Sequence, residues 1–194
     1  VETHLFSIDD NPINAGINYS LRNNQDEYVV YDFDQISAYA NYRHSIGESD
    51  FILPGYIFNR NNYKNFSLFS HYEHKIFLTY ISNFETQTSL TLNTEYSLKQ
   101  YFEEYNFEGY LNQASQLKFK VNVGQSISDL TGLSAFAIYR KNLSEGSRYL
   151  VSDSLLYYEE EIFNDIYSYD GIELGIGFKH YFNEKLELSL EGRY

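Results

Sequence analysis

The chain has 194 residues, a formal net charge of −13, no cysteine and no methionine. The acidic balance argues against a nucleic-acid partner, and the missing cysteines exclude a disulfide frame, thiolate chemistry and cysteine-ligated metal. Hydrophobic residues make up 43% of the chain, yet mean hydropathy is −0.47, and no apolar run approaches the ~18 residues that a membrane-spanning helix requires. A spanning strand needs only about 9–11 residues with alternate ones apolar, so strands remain open to a membrane role. Pro is scarce (2) and Tyr and Phe abundant (21 and 15), which fits neither a linker nor a disordered segment. The sequence opens on Val1, as expected of a processed product or a fragment from which any signal peptide has gone.

Period two dominates in chain order. Residues 1–8 carry a loose strand pattern, followed by a turn at Asp9, Asp10, Asn11 and Pro12. Residues 13–21 set Ile13, Ala15, Ile17, Tyr19 and Leu21 against Asn14, Gly16, Asn18 and Ser20. Residues 36–42 follow with Ile36, Ala38, Ala40 and Tyr42. Two less clean strands cover about 51–60, where Pro54 is expected to interrupt, and 65–81. Residues 89–99 alternate most clearly: Leu90, Leu92, Thr94, Tyr96 and Leu98 oppose Ser89, Thr91, Asn93, Glu95, Ser97 and Lys99. Further strands fall at 117–123, 133–139, 172–178 and 186–194, giving nine with a tenth at the start. Short links at 47–50, 82–86, 128–131 and 183–185 alternate with longer ones at about 22–32, 60–65, 101–114 and 143–170. An up-and-down meander puts every second link at one end, whereas Greek-key crossings have no reason to alternate this way.

These patterns predict an all-β, antiparallel up-and-down transmembrane β-barrel, with about 8–10 strands visible, in a single domain over 1–194 that is incomplete at one or both ends. The architecture resembles bacterial outer-membrane β-barrel proteins as a class. That resemblance implies a bacterial cell outer-membrane location, contact with membrane lipid and a passive, porin-like channel or structural barrel; an outer-membrane enzyme such as a lipid hydrolase ranks last because the sequence shows no nucleophile–base arrangement, and no cofactor is expected. Such barrels usually end at the periplasm, whereas this topology runs Tyr194 toward the long-link end. Either the chain is a segment of a longer barrel or the strand count is off by one.

The orientation expected is apolar side chains outward and polar ones toward the axis. Charged residues on the polar alternation would then face a lumen: Glu95, Lys99, Lys118, Lys120, Arg140, Glu173, Lys179, Glu187, Glu191 and Arg193. Plain solvation of a soluble sheet would give the same ladder. Tyr19, Tyr96, Tyr139 and Tyr194 each follow a short turn by some seven to ten residues and are candidates for an aromatic girdle, although Tyr is common throughout. Glu159, Glu160, Glu161, Asp165 and Asp170 form an acidic link, read first as solvated and alternatively as a loose site for divalent cations. An acidic mouth of this kind would favour cations in a wider barrel. His71 and His74, three apart on a strand, fall on opposite faces and share no metal. The 143–170 link is rich in Tyr, Leu and Ile for a free loop; it folds into the lumen, extends a strand or meets an envelope protein partner. Two other readings stand beside the channel: a barrel module that docks such a partner, and a soluble lipocalin-like barrel with its apolar face inside.

Overall fold

The computed structural model describes residues 2–6, 13–104, 108–152, 155–159, 167, 169–183 and 186–194. Its strands are β1 (Glu2–Phe6), β2 (Ile13–Arg22), β3 (Phe33–Tyr42), the two-residue β4 (His44–Ser45), β5 (Asp50–Tyr63), β6 (His71–Asn83), β7 (Thr88–Tyr101), β8 (Gln113–Ser128), β9 (Thr131–Asn142), β10 (Tyr149–Ser152), β11 (Leu155–Tyr158), β12 (Gly171–Asn183) and β13 (Leu186–Arg193). One antiparallel up-and-down sheet runs β1-β2-β3-β5-β6-β7-β8-β9-β12-β13, with β4 continuing β3 against β5. The fold is all-β and the sheet is open: β1 and β13 are its edges. β10 and β11 form a separate hairpin in the link between β9 and β12. Among the described residues no helix is long and apolar enough to cross a membrane.

The meander follows from the links. Residues 129–130 turn β8 into β9, and the turn after β6 places Gln87 at φ 61, the left-handed conformation that closes a tight reversal. The strand expected over residues 1–8 is β1, while the turn at 9–12 lies outside the described residues, as do Glu184 and Lys185 of the last short link.

Most strands extend beyond the spans read from the sequence, β8 by four residues at its start and five at its end, and two readings need correcting. The strand expected from residue 65 starts at His71, because 64–70 form the link, with a short 3₁₀ turn at Ser67–Phe69. Pro54 does not interrupt β5, which runs unbroken from Asp50 to Tyr63 and pairs Pro54 with Leu78 of β6. A proline lacks the N–H that one neighbour would accept. On its other side the β3 ladder ends at Asn41↔Gly55 and β4 resumes at His44↔Ile52. The missing donor therefore falls at a gap between two partner strands.

Three glycines make room for aromatic rings on the strand directly opposite. A Cβ on Gly16 would come within 2.7 Å of the Tyr39 ring, on Gly55 within 2.1 Å of Phe77, and on Gly175 within 2.2 Å of Phe136. Each ring occupies the space where the Cβ of the facing glycine would stand, which fills the surface a missing side chain leaves bare. Gly55→Val is expected to lower unfolding free energy by about 1–3 kcal/mol through overpacking against Phe77. Gly171→Ala, where a Cβ meets nothing within 4 Å, is expected to leave it unchanged. Denaturant unfolding of both variants against the parent chain checks the contrast.

Candidate functional site

Side chains along a strand alternate faces, so the register assigns each to one side of the sheet. One face carries Ile17, Ala38, Ile76, Leu92, Val121, Ala135, Ile176 and Leu190, and its large apolar side chains are mostly exposed: Ile76 60%, Ile176 70%, Leu190 57%. The opposite face holds the buried groups, and most of them are polar: Asn59, Asn61, His71, Glu73, Ser97, Lys99 and Gln116 are each below 10% exposed. Apolar residues outside and polar ones inside is the reverse of a water-soluble protein.

All ten charged residues singled out from the sequence share this polar face. Most are paired. Lys118 Nζ lies 2.7 Å from Glu95, Arg140 donates from both terminal nitrogens to Glu173 at 3.1 Å, and Lys179 lies 3.2 Å from Glu187. Arg193 bridges Glu191 at 2.7 Å and Glu173 at 3.6 Å. Glu187 and Glu191 thus pair with near neighbours on β12 and β13. From β5 to β13 the face holds seven cations (Lys75 joins the six named above) and five carboxylates (Glu73 joins the four). His71 sits there too, Nδ1 against the Phe69 carbonyl at 2.7 Å and Nε2 against the Asn61 amide at 2.9 Å; a donor on one nitrogen and an acceptor on the other is the neutral ring. His74 is on the other face with Tyr56, at 2.6 Å.

The apolar face has two parallel borders. Cross-strand partners define a row Ala15–Ala40–Tyr56–Ile76–Tyr96–Leu117–Lys141. Tyr19 stands four residues past Ala15 and four strands from β7, and Phe58 two past Tyr56 and two strands away. In the other direction Tyr139 falls two short of Lys141 at two strands. Tyr194, hydrogen-bonded to Leu174 and so level with Ala137, falls four short at four strands. The line therefore shifts one residue per strand throughout. With ~3.3 Å per residue and ~4.8 Å between strands, it is level only if the strands tilt by about 35°.

The second border lies at the short turns. Ile46 is level with Asp50, which starts the row Ser82–Leu90–Val123–Ala135–Ile176. Phe84, Ile127 and Phe182 stand two, four and six residues past their members of that row, at two, four and six strands from β3. The slope is the same. All four residues are at least half exposed. Along a strand the borders lie nine residues apart, which at a ~35° tilt is a height of about 25 Å. Between them the apolar face of the described strands carries no Lys, Arg, Asp or Glu except Asp50, at the lower border. Charges return just beyond the upper border: Arg60 with Asp34 at 3.4 Å, and Lys141 with Asp170 at 2.5 Å. The hydrogen bond from Lys141 and one from the Asn142 N–H hold the exposed Asp170 carboxyl below its usual pKa.

Of the link between β9 and β12, the described residues Arg148, Glu159 and Tyr167 lie against side chains of the polar face. Arg148, 1% exposed, donates to the carbonyls of Leu68 (2.9 Å), Glu103 (2.7 Å) and Leu111 (3.2 Å), and its guanidinium lies 4.3 Å from the centre of the Tyr101 ring. One side chain thereby ties three successive long links together. Glu159, 3% exposed, accepts from Lys99 Nζ at 3.2 Å and from the Tyr101 hydroxyl. Tyr167 donates to Glu73 at 2.8 Å, and its ring lies 4.7 Å from Lys99 Nζ. Burial, reinforced by Glu73, pushes the Tyr167 phenol pKa up, so it remains a donor.

The acidic link thus needs correcting at Glu159, which is buried and ion-paired where a solvated carboxylate was expected. Glu160, Glu161 and Asp165 lie outside the described residues, and Asp170 pairs with Lys141. Among the described residues no group of three His, Asp or Glu side chains is placed to hold a metal ion. Sequence reasoning missed Arg148, although it is the single basic residue of an acidic link, and Phe58, which completes the upper border. Compared with known proteins, the chain matches no family model, no curated protein and no solved structure.

Glu159→Ala leaves the Lys99 ammonium, 3% exposed, without that carboxylate, and is expected to cost about 3–5 kcal/mol. Replacing the pair together (Lys99→Met with Glu159→Leu) is expected to recover most of that loss. Unfolding free energies and protease cleavage within 143–170 check both, with cleavage faster only in the single variant.

Proposed function

We propose that the chain is an integral outer-membrane β-barrel protein, or the part of one that these strands build, serving as a passive channel or structural barrel. The observation that carries this reading is the uncharged band on the exposed apolar face. Its height of about 25 Å matches the lipid-facing band of outer-membrane barrels, and the tilt of about 35° that levels its borders is the tilt of their strands. Aromatic side chains at the upper border fit the level where lipid tails meet headgroups. Water would leave this face uncovered across the whole sheet, far beyond the few hundred Å² that soluble monomers expose. A lipocalin-like barrel would turn the same face inward, against the burial seen for Glu73, Lys99 and Gln116.

In this reading the two sheet edges require partners, since unpaired backbone groups in hydrocarbon cost several kcal/mol each. Further strands, or β1 against β13, supply them. The location that follows is the bacterial outer membrane, with lipid as the first partner.

Extraction only by detergent, with heat-modifiable migration on a gel, is the expected behaviour; full solubility without detergent would sink the proposal. A sharper test uses depth. Leu92 lies midway between the borders and Ile76 one residue below the upper one. Leu92→Lys is expected to destabilise the reconstituted protein by about 2–4 kcal/mol, and Ile76→Lys by no more than about 1 kcal/mol. In a water-exposed sheet the two substitutions would be equally mild.

A further inference from the structure

The polar face is charged against the trend of the chain. The chain carries 14 Lys and Arg against 27 Asp and Glu, yet from β5 to β13 this face holds the cationic excess counted above. All five carboxylates are engaged by neighbouring cations: Glu73 by Lys75 at 3.0 Å, and Glu95, Glu173, Glu187 and Glu191 as described. Two cations are left over. Lys99 takes its carboxylate from the link between β9 and β12. Lys120 has no ion pair among the described residues; its ammonium lies 5.6 Å from the Phe136 ring centre, and the residue lines a cavity of about 450 Å³ together with Lys179 and Arg193 and the ion-paired Glu173 and Glu191. Lys118 sits opposite Glu95 and Lys120 opposite Asn93, so Lys99, Lys118 and Lys120 follow one track down β7 and β8.

The Glu159 carboxylate also has the contacts of a bound anion. One oxygen accepts from Lys99 Nζ and the other from the Tyr101 hydroxyl, at a site where both partners are buried. Two donors from the sheet converge on two oxygens, which is what a carboxylate or phosphate group of a solute would require. The donors are fixed on β7, while the carboxylate arrives on the link, 60 residues away in sequence.

We propose, resting on the barrel reading above, that the polar face is a path for small anions bearing a carboxylate or phosphate, and that Glu159 occupies its entry subsite as a resident counter-charge. The acidic links at the rim do not reverse this preference. Solvent-exposed charges are screened within about 8 Å at physiological ionic strength, whereas the side chains of the face stand directly along the track and act in a poorer dielectric. A cation passing this track meets ion pairs at Lys99 and Lys118 and an ammonium without a carboxylate partner among the described residues at Lys120.

The test is the reversal potential of the purified protein in planar bilayers under a KCl gradient. Currents that reverse on the chloride side are expected, with a shift toward the potassium side in Lys120→Glu, a position outside the Glu159 contacts. Glu159→Gln is expected to raise conductance, and acetate or inorganic phosphate added to that variant to reduce the chloride current; the more effective of the two identifies the group the subsite takes. Potassium-side reversal in the parent protein, an unchanged reversal potential in Lys120→Glu, or no current from protein that has inserted by heat-modifiability would each overturn the inference. Protein that never inserts would instead overturn the barrel reading on which it rests.

Discussion

Register is the constraint on which the rest of this structure depends. Side chains alternate with period two, so a slip of one residue between any two neighbours would send a charged set to the apolar face and an apolar set to the polar one. Ten strands in series leave no room for such a slip near their middle. The three irregularities in the main sheet lie near the short-turn ends, between His4 and Phe6, Ser126 and Ser128, and Tyr181 and Asn183. Elsewhere the register is kept, across the gap between β3 and β4 as well, and the two borders of the apolar face run parallel because of it.

The buried side of the sheet owes little to apolar packing. Phe69, Tyr101, Ala114, Ile138 and Tyr167 are the buried hydrophobic residues described, and all but Ile138 lie in or beside the long links at one end. Buried charge is tolerated because each group has partners. Glu73 accepts from Asn59 at 2.7 Å and Tyr167 at 2.8 Å and pairs with Lys75 at 3.0 Å. A network satisfied to this degree is rigid, and a partly satisfied one would be worse than an apolar core. The hydrophobic effect then has little surface to act on beneath the polar face, and most of the large apolar side chains stand exposed on the other.

Much of this was legible in the sequence for one reason: a strand announces its two faces locally. Leu90 to Lys99 shows the alternation without reference to any other segment, and the charged ladder and the four tyrosines follow from it. What was illegible depends on contacts distant in sequence. Arg148 meets Leu68 across 80 residues and Glu159 meets Lys99 across 60, so nothing near either residue signals its burial. Pro54 looked like a break because only the neighbouring strands reveal the gap that accommodates it. Phe58 went unnoticed because Ile57 and Phe58 put apolar groups on both faces of β5, and only the register assigns Phe58 to the upper border.

The way the link between β9 and β12 is seated bears on what it can do. A buried ion pair seldom improves on a hydrophobic pair of the same size, because desolvating both charges consumes most of their attraction. Lys99 and Glu159 are therefore poorly explained as a source of stability alone. Their distinguishing property is exchangeability. A link held by apolar contacts is displaced only by something that fills the same shape, whereas a link held by a carboxylate on an ammonium and a phenol competes with any solute that brings an equivalent group. Arg148 anchors the link by donating to backbone carbonyls of two other links, whereas at Glu159 the link supplies the acceptor, which is the part that a solute anion can stand in for. An anion at Lys99 and Tyr101 would therefore compete with Glu159 itself, while Arg148 and Tyr167, on either side of Glu159 in sequence, keep their own contacts.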